Sequence, residues 1–231
     1  DGETYIVTAN EGDSRDFDEA RVGDLVEEGL IDESVDTTGL ERLEVSSIDG
    51  DTDGDGDIDV LHTFSSRSFS IFDSDGNLVF DSGPEFEQII AEIAPERFND
   101  DDGDTDGDED RSDAKGPEPE AVTIGEVDGK TYAFIGLERD SGIVIYDISD
   151  PTEAQYVDYI PPAFVDTTPE GEVARHAPET IAFISAEEST SGNAQIAVAY
   201  EVSGSTVVYD LASAPPLVTI PEIQGAGHVS E

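Results

Sequence analysis

Pro119-Glu120-Ala121-Val122 and Pro178-Glu179-Thr180-Ile181 open two copies of one block, and the reading of that block decides the fold. Each opening leads into a short strand, a polar turn and a second apolar strand that ends on a glutamate. The second strands are Tyr132-Ala133-Phe134-Ile135-Gly136-Leu137-Glu138 and Ile196-Ala197-Val198-Ala199-Tyr200-Glu201. A small-residue turn follows, Asp140-Ser141-Gly142 or Ser203-Gly204-Ser205, and a third strand closes each copy on Asp147 or Asp210. A unit of three or four short strands cannot bury its apolar residues alone, so such units must stack. The expectation is an all-β chain of β-propeller blades, whose equivalent strand ends gather around a central channel.

The same frame extends upstream. Tyr5-Ile6-Val7-Thr8-Ala9-Asn10 reads as a strand, and it places Glu11 in register with Glu138 and Glu201. Residues 19–40 are polar, with a weakly helical patch at 22–30, and read as an insertion over one face. A second blade is expected from segments 43–47, 60–64, 68–73 and 78–80, with Asp75-Gly76 as a hairpin turn and Asp73 matching Asp147 and Asp210. Phe86, Ile89, Ile90 and Ile93 have helical spacing, and Pro95 stops that helix. Residues 99–113 form an acidic loop, and residues 161–175 read as a crossing between blades. The expected organisation is an incomplete ring, three blades plus a stray first strand, over residues 1–222. Residues 223–231 read as a linker towards a further domain. Such a ring has open edges, which favour pairing with missing blades of the same protein or with another chain.

The chain carries 57 acidic against 10 basic residues, a formal net charge of -47. Its field repels nucleic acid phosphates and anionic membranes, which excludes both as direct partners without bridging cations. Disorder is the simplest account of such a composition. It fails, because periodic Val, Ile, Phe and Tyr segments run through most of the sequence. A folded domain adapted to molar salt fits better, since screening there shortens to ~3 Å. With no cysteine, disulfides and thiolate chemistry are absent. No apolar run approaches the ~20 residues of a membrane-spanning helix.

The sharpest local motif is Asp51-Thr52-Asp53-Gly54-Asp55-Gly56-Asp57-Ile58-Asp59. Carboxylates at loop positions one, three and five, glycine at six, an aliphatic at eight and aspartate at nine match a calcium loop. Position twelve is His62, where the template has a bidentate glutamate. The alternative is a solvated acidic turn. Asp102, Asp104, Asp106, Gly107, Asp108 and Asp113 repeat the spacing, with Glu109 at the aliphatic position. Calcium is the expected ion, with another divalent metal as the alternative.

A second constellation lies at the strand ends. Glu11, Glu120, Glu179 and Glu201, with Glu138, can hold a divalent metal there. Five of the eight arginines, Arg15, Arg67, Arg111, Arg139 and Arg175, lie at or beside the same ends and can clamp a phosphate or carboxylate. Arg15, Glu138, Arg139 and His176 are the candidate catalytic residues on that reading. On the other, the arginines neutralise buried glutamates and tie blades together. No nucleophile elbow, zinc-type histidine pair or phosphate-cradling glycine loop is present.

Several stretches resemble the choice-of-anchor family of secreted microbial proteins, which is related to the mesenchyme-specific cell-surface glycoproteins of animals. They are Tyr5-Ile-Val-Thr-Ala-Asn-Glu-Gly-Asp-Ser-Arg15, Arg67-Ser-Phe-Ser-Ile-Phe-Asp73, Lys115-Gly-Pro-Glu-Pro-Glu120 and Tyr132-Ala-Phe-Ile-Gly-Leu-Glu-Arg139. Phe72 stands where the family often has tryptophan, and Ala121 and Thr180 where it often has glycine. The resemblance implies a β-propeller, export to the cell surface or medium, calcium association and further blades upstream. Some members carry an alkaline-phosphatase label. The acidic composition is similar to that of haloarchaeal members. The tail Ile223-Gln-Gly-Ala-Gly-His228-Val-Ser resembles the approach to an OB-like domain of secreted nucleases.

Three functions follow. The leading one is a secreted or cell-surface calcium-binding module with a structural, adhesive or scaffold role. It predicts metal sites in peripheral loops and a channel plugged by salt bridges. The alternative is a metal-dependent phosphomonoesterase, which predicts residues of both signs converging at one channel mouth, with an open metal position. The third is an accessory domain of a nuclease-like protein.

Overall fold

The computed structural model describes residues 2–13, 17–64, 67–99, 111–112, 114–162 and 177–211. In chain order the first strands are β1 (Tyr5–Asn10), β2 (Glu19–Arg21), β3 (Glu44–Ser46), β4 (Ser68–Asp73) and β5 (Leu78–Asp81). They are followed by β6 (Pro119–Val127), β7 (Lys130–Leu137), β8 (Ile143–Asp147) and β9 (Gln155–Ile160). The last are β10 (Pro178–Ile184), β11 (Ala194–Tyr200) and β12 (Ser205–Leu211). Helix α1 (Val22–Glu28) and helix α2 (Glu85–Ile93) are both short. The strands form four antiparallel sheets, ordered β1-β4-β5, β2-β3, β6-β7-β8-β9 and β10-β11-β12. The chain is therefore all-β, and among the described residues no sheet closes into a barrel. No described helix is long and apolar enough to cross a membrane.

The four-stranded sheet sits between the two three-stranded ones. Side chains alternate along a strand, so a strand covered on both faces reads as one continuous apolar run. That is the pattern of β7. Ala133, Ile135 and Leu137 join Phe69, Ile71, Phe86 and Tyr146 in one core. Tyr132 and Phe134 join Ile181, Ile196, Val198 and Tyr200 in the other. Rings tighten the first core, with Phe69 4.7 Å from Tyr146 and 5.4 Å from Phe80 between centroids. In the second, Gly125 has no room for a Cβ against the Phe183 ring, so glycine there sets how closely the sheets approach.

Matching registers bear out the alignment of the repeat. Tyr5 opposes Asp73, Tyr132 opposes Asp147 and Gln195 opposes Asp210. These three aspartates hold the polar ends of their sheets. Asp73 accepts from the Asn77 N–H at 2.9 Å, Asp147 from the Ser149 N–H at 3.0 Å, and Asp210 from the Ser191 hydroxyl at 2.8 Å.

Three expectations are corrected. The first strand is not stray, because β1 pairs with β4 along its whole length. Segments 43–47 and 60–64 do not belong to that blade. β3 pairs with β2, and residues 60–63 form no strand. With α1 they build a separate unit around Val22, Leu25, Val45 and Ile58. The insertion is therefore longer than residues 19–40, since its apolar residues are too sparse and irregular to show a period. On α2, Phe86, Ile89 and Ile90 are buried as spaced, but Ile93 in the last turn is 46% exposed.

Candidate functional site

Two groups of acidic side chains stand out. The first lies where β6 begins and β7 ends. Glu118 takes a left-handed backbone (φ 50°), and Ala177 repeats it (φ 49°) immediately before β10. Their carbonyls accept the N–H groups of Glu138 at 2.7 Å and Glu201 at 2.9 Å, so the two glutamates occupy equivalent positions. Below this turn Asp140, 2% exposed, receives the Tyr159 hydroxyl at 2.7 Å, the Gly142 N–H at 3.2 Å and the Arg97 Nε at 3.2 Å. Burial raises its pKa, and the Arg97 charge opposes the rise. This buried network fixes the segment that carries Glu138 and Arg139.

Carboxylate oxygens of Glu11, Glu118 and Glu138 all lie within 4.8 Å of one another. Glu118 is 1% exposed, paired with Arg111 and, at 3.1 Å, with Arg139 Nε. Arg139 also reaches Glu138 at 3.4 Å. Lys115 pairs with Asp13 and lies 3.9 Å from Glu44. Glu120 joins the group, with a buried Oε2 that has no hydrogen-bond partner among the described residues. Its carboxyl is pushed up to about 8, first by burial and then by the charges of Glu138, Glu179 and Glu11. Burial also raises Glu11, with Asp13 and Glu138 adding to it.

The structure thus brings Glu11, Glu120, Glu138 and Glu179 together. Glu201 is exposed at the equivalent end of its own sheet and is not among the three converging carboxylates. Glu118 was missed as a ligand candidate because its counterpart in the repeat is Ala177, so alignment gave it no weight. Its position before Pro119 was the available signal. Arg67 binds Glu87 at 3.2 Å and the Ala114 carbonyl at 3.0 Å, joining α2 to the segment before β6. Arg15, Arg175, His176, Asp102, Asp104, Asp106, Asp108 and Asp113 lie outside the described residues.

The second group is the 51–59 loop. Asp51 accepts the N–H groups of Gly54 at 2.6 Å and Gly56 at 3.1 Å, which curls the loop around its own carboxylates. Asp51, Asp53 and Asp59 offer oxygens within 4.8 Å of each other, and Asp32, Asp57 and Asp59 form a second such trio. Asp55 accepts the Asp57 N–H at 3.3 Å and joins neither. Ile58 anchors the loop. It is 6% exposed, bridges Ile31, and donates its N–H to Leu30 O at 2.8 Å. At the loop's base Gly50 (φ +103°) accepts from the N–H groups of Asp59 and Val60, and a Cβ there would collide with the Val60 carbonyl. Asp59 is held below its usual range by the Thr52 hydroxyl and N–H. Asp57 rises to about 6, by burial first and then by the Asp55 charge. His62 is exposed, and its carbonyl accepts from Ser46 at 2.8 Å. Asp32 arrives from outside the motif through the Ile31–Ile58 bridge, so no local spacing announced it. Both groups offer hard oxygen donors only, a set that suits calcium or magnesium and not zinc.

The choice-of-anchor I domain family matches residues 1–151. Gigasin-3a of Magallana gigas is 34% identical over 115 residues, covering 48% of this chain and 40% of the relative. The mesenchyme-specific cell surface glycoprotein of Strongylocentrotus purpuratus is 26% identical over 195 residues, covering 64% of this chain and 24% of the relative. The chain therefore spans less than half the length of either. No solved structure matches.

Proposed function

The chain belongs to the choice-of-anchor I family, and from that premise we propose a secreted or cell-surface calcium-binding module of a halophile, a set of β-propeller blades whose inserted α1 unit carries the calcium loop, with a structural, adhesive or scaffold role. The carrying observation is the 51–59 loop. Asp51, Asp53 and Asp59 converge there while Ile58 pins the loop to the α1 unit. Calcium takes six to eight oxygens, and Asp51, Asp53, Asp57, Asp59 and Asp32 supply the protein's share. Stacked sheets with equivalent strand ends support the propeller reading. The surface assignment draws on the family and on a sea-urchin relative named for the cell surface.

A structural role suits the strand-end group better than phosphoester hydrolysis does. The phosphoesterase reading assigns its arginines to orienting substrate phosphate. Arg111 and Arg139 are instead committed to Glu118, and Arg139 to Glu138. Glu11, Glu120, Glu138 and Glu179 can still take a second cation, which would relieve their mutual repulsion.

The test is thermal melting of metal-stripped protein in molar sodium chloride, with and without calcium. Asp51→Asn with Asp53→Asn should remove most of the calcium-induced rise in Tm and leave the melt in chelator nearly unchanged. Equal losses in both conditions would sink the proposal. Metal-dependent turnover of a generic phosphomonoester that vanishes in Arg139→Ala would favour the enzyme.

A further inference from the structure

The unit of β2, α1 and β3 has a core of its own. Val22, Leu25, Val45 and Ile58 are its buried residues, and none of them belongs to either core between the sheets. So small a core does not hold a fold by itself, and domains below roughly 70 residues usually add disulfides or a metal. This chain has no cysteine. One of the four buried residues, Ile58, stands inside the 51–59 loop. It bridges Ile31, donates its N–H to Leu30 O at 2.8 Å and accepts the Asp32 N–H at 3.1 Å. The loop thus gives the unit a core side chain, and the unit gives Asp32 to the loop's carboxylates. Carboxylates within 4.8 Å repel one another even in molar salt, where screening acts over ~3 Å. Whatever opens the loop also withdraws Ile58 from the core.

We propose that calcium switches this unit between a folded and a locally unfolded state while the stacked sheets stay folded. The inference rests on the calcium reading of the loop and adds what the ion governs. Without the ion, repulsion spreads the carboxylates, Ile58 leaves the core, and α1 loses part of the surface it packs on. With the ion, the folded unit gains the free energy of binding, because the ligands come from both sides of the Ile31–Ile58 bridge. The module then presents on this flank either a compact unit or an extended chain, according to the calcium around it.

The experiment is hydrogen–deuterium exchange of the intact chain in molar sodium chloride, with calcium chloride or with a chelator. Calcium uptake is measured on the same protein by titration calorimetry. The amides of Val22, Gly23, Leu30 and Ile58 all donate within the unit. They are expected to exchange together and at least about tenfold faster in chelator, while those of Tyr132–Leu137 stay protected in both buffers. By linkage, the unit's core must in turn act on the ion. Leu25→Ala removes a buried side chain of α1 and no carboxylate. It should weaken calcium binding about tenfold or more and leave the β7 amides protected. Calcium uptake with equal exchange in both buffers overturns the switch and leaves the calcium loop standing. Unaltered calcium affinity in Leu25→Ala does the same. Loss of protection throughout the stack in chelator also overturns it, since calcium would then hold the whole fold. Absence of calcium uptake sinks the loop reading and the switch together.

Discussion

Glu120 is the residue through which pH should act on this protein most directly. Its carboxyl lies near 8 in the fold against an ordinary 4.5. The folded chain therefore keeps a proton that the unfolded chain has released. The stabilisation is fully present below the unfolded value and is lost as pH rises through the folded one. Metal-stripped protein at constant salt should accordingly show Tm falling between pH ~4.5 and ~8. Glu120→Gln should flatten that fall, and an unchanged slope would remove Glu120 as its cause. Calcium at the strand-end group should reverse the loss near the upper end of the window, because a cation replaces the proton. Asp140 gives the complementary case. Asp140→Ala strands a buried Arg97 charge and the Tyr159 hydroxyl, a change expected to cost about 3–5 kcal/mol in chemical denaturation. These two carboxylates show what one sequence conceals. Asp140 stood in a small-residue turn and read as a loop residue, because the Arg97 that buries it lies 43 positions away.

At the scale of elements, the close approach of β6 to β10 depends on Gly125. Gly125→Ala should cost about 1–3 kcal/mol through overpacking. Phe183→Ala in the same chain should recover part of that loss, and additive effects would argue against a shared contact. The strands of the repeat were legible because two physical signals coincide in them, unbroken apolar runs and acidic residues at fixed strand ends. The helix α2 was legible from four residues at helical spacing, three of which are buried. The helical patch at 22–30 and the segment 43–47 were legible as α1 and β3, but their assembly with β2 into one unit was not. Its core is four buried residues drawn from positions 22 to 58, held by a two-stranded pairing and one isolated bridge, and no local period betrays contacts of that reach. The 51–59 loop was visible as a spacing, but Asp32, which meets Asp57 and Asp59, belongs to that same hidden unit.

At the scale of the molecule, a net charge of -47 should make stability rise steeply with salt. Self-repulsion is screened over ~10 Å at 0.1 M and over ~3 Å at 1 M. Tm in chelator should climb across that range, and calcium should substitute for part of the salt. A flat salt dependence would contradict adaptation to brine. The middle sheet carries one more consequence. β7 has a strand on either side and a sheet over either face. Its amides can meet deuterium only after whole sheets part, whereas those of β5 and β12, at the outer edges, need only fray. Unfolding of this stack should therefore run from its flanks inward, and the last protected amides should map to Tyr132–Leu137 in the middle of the chain.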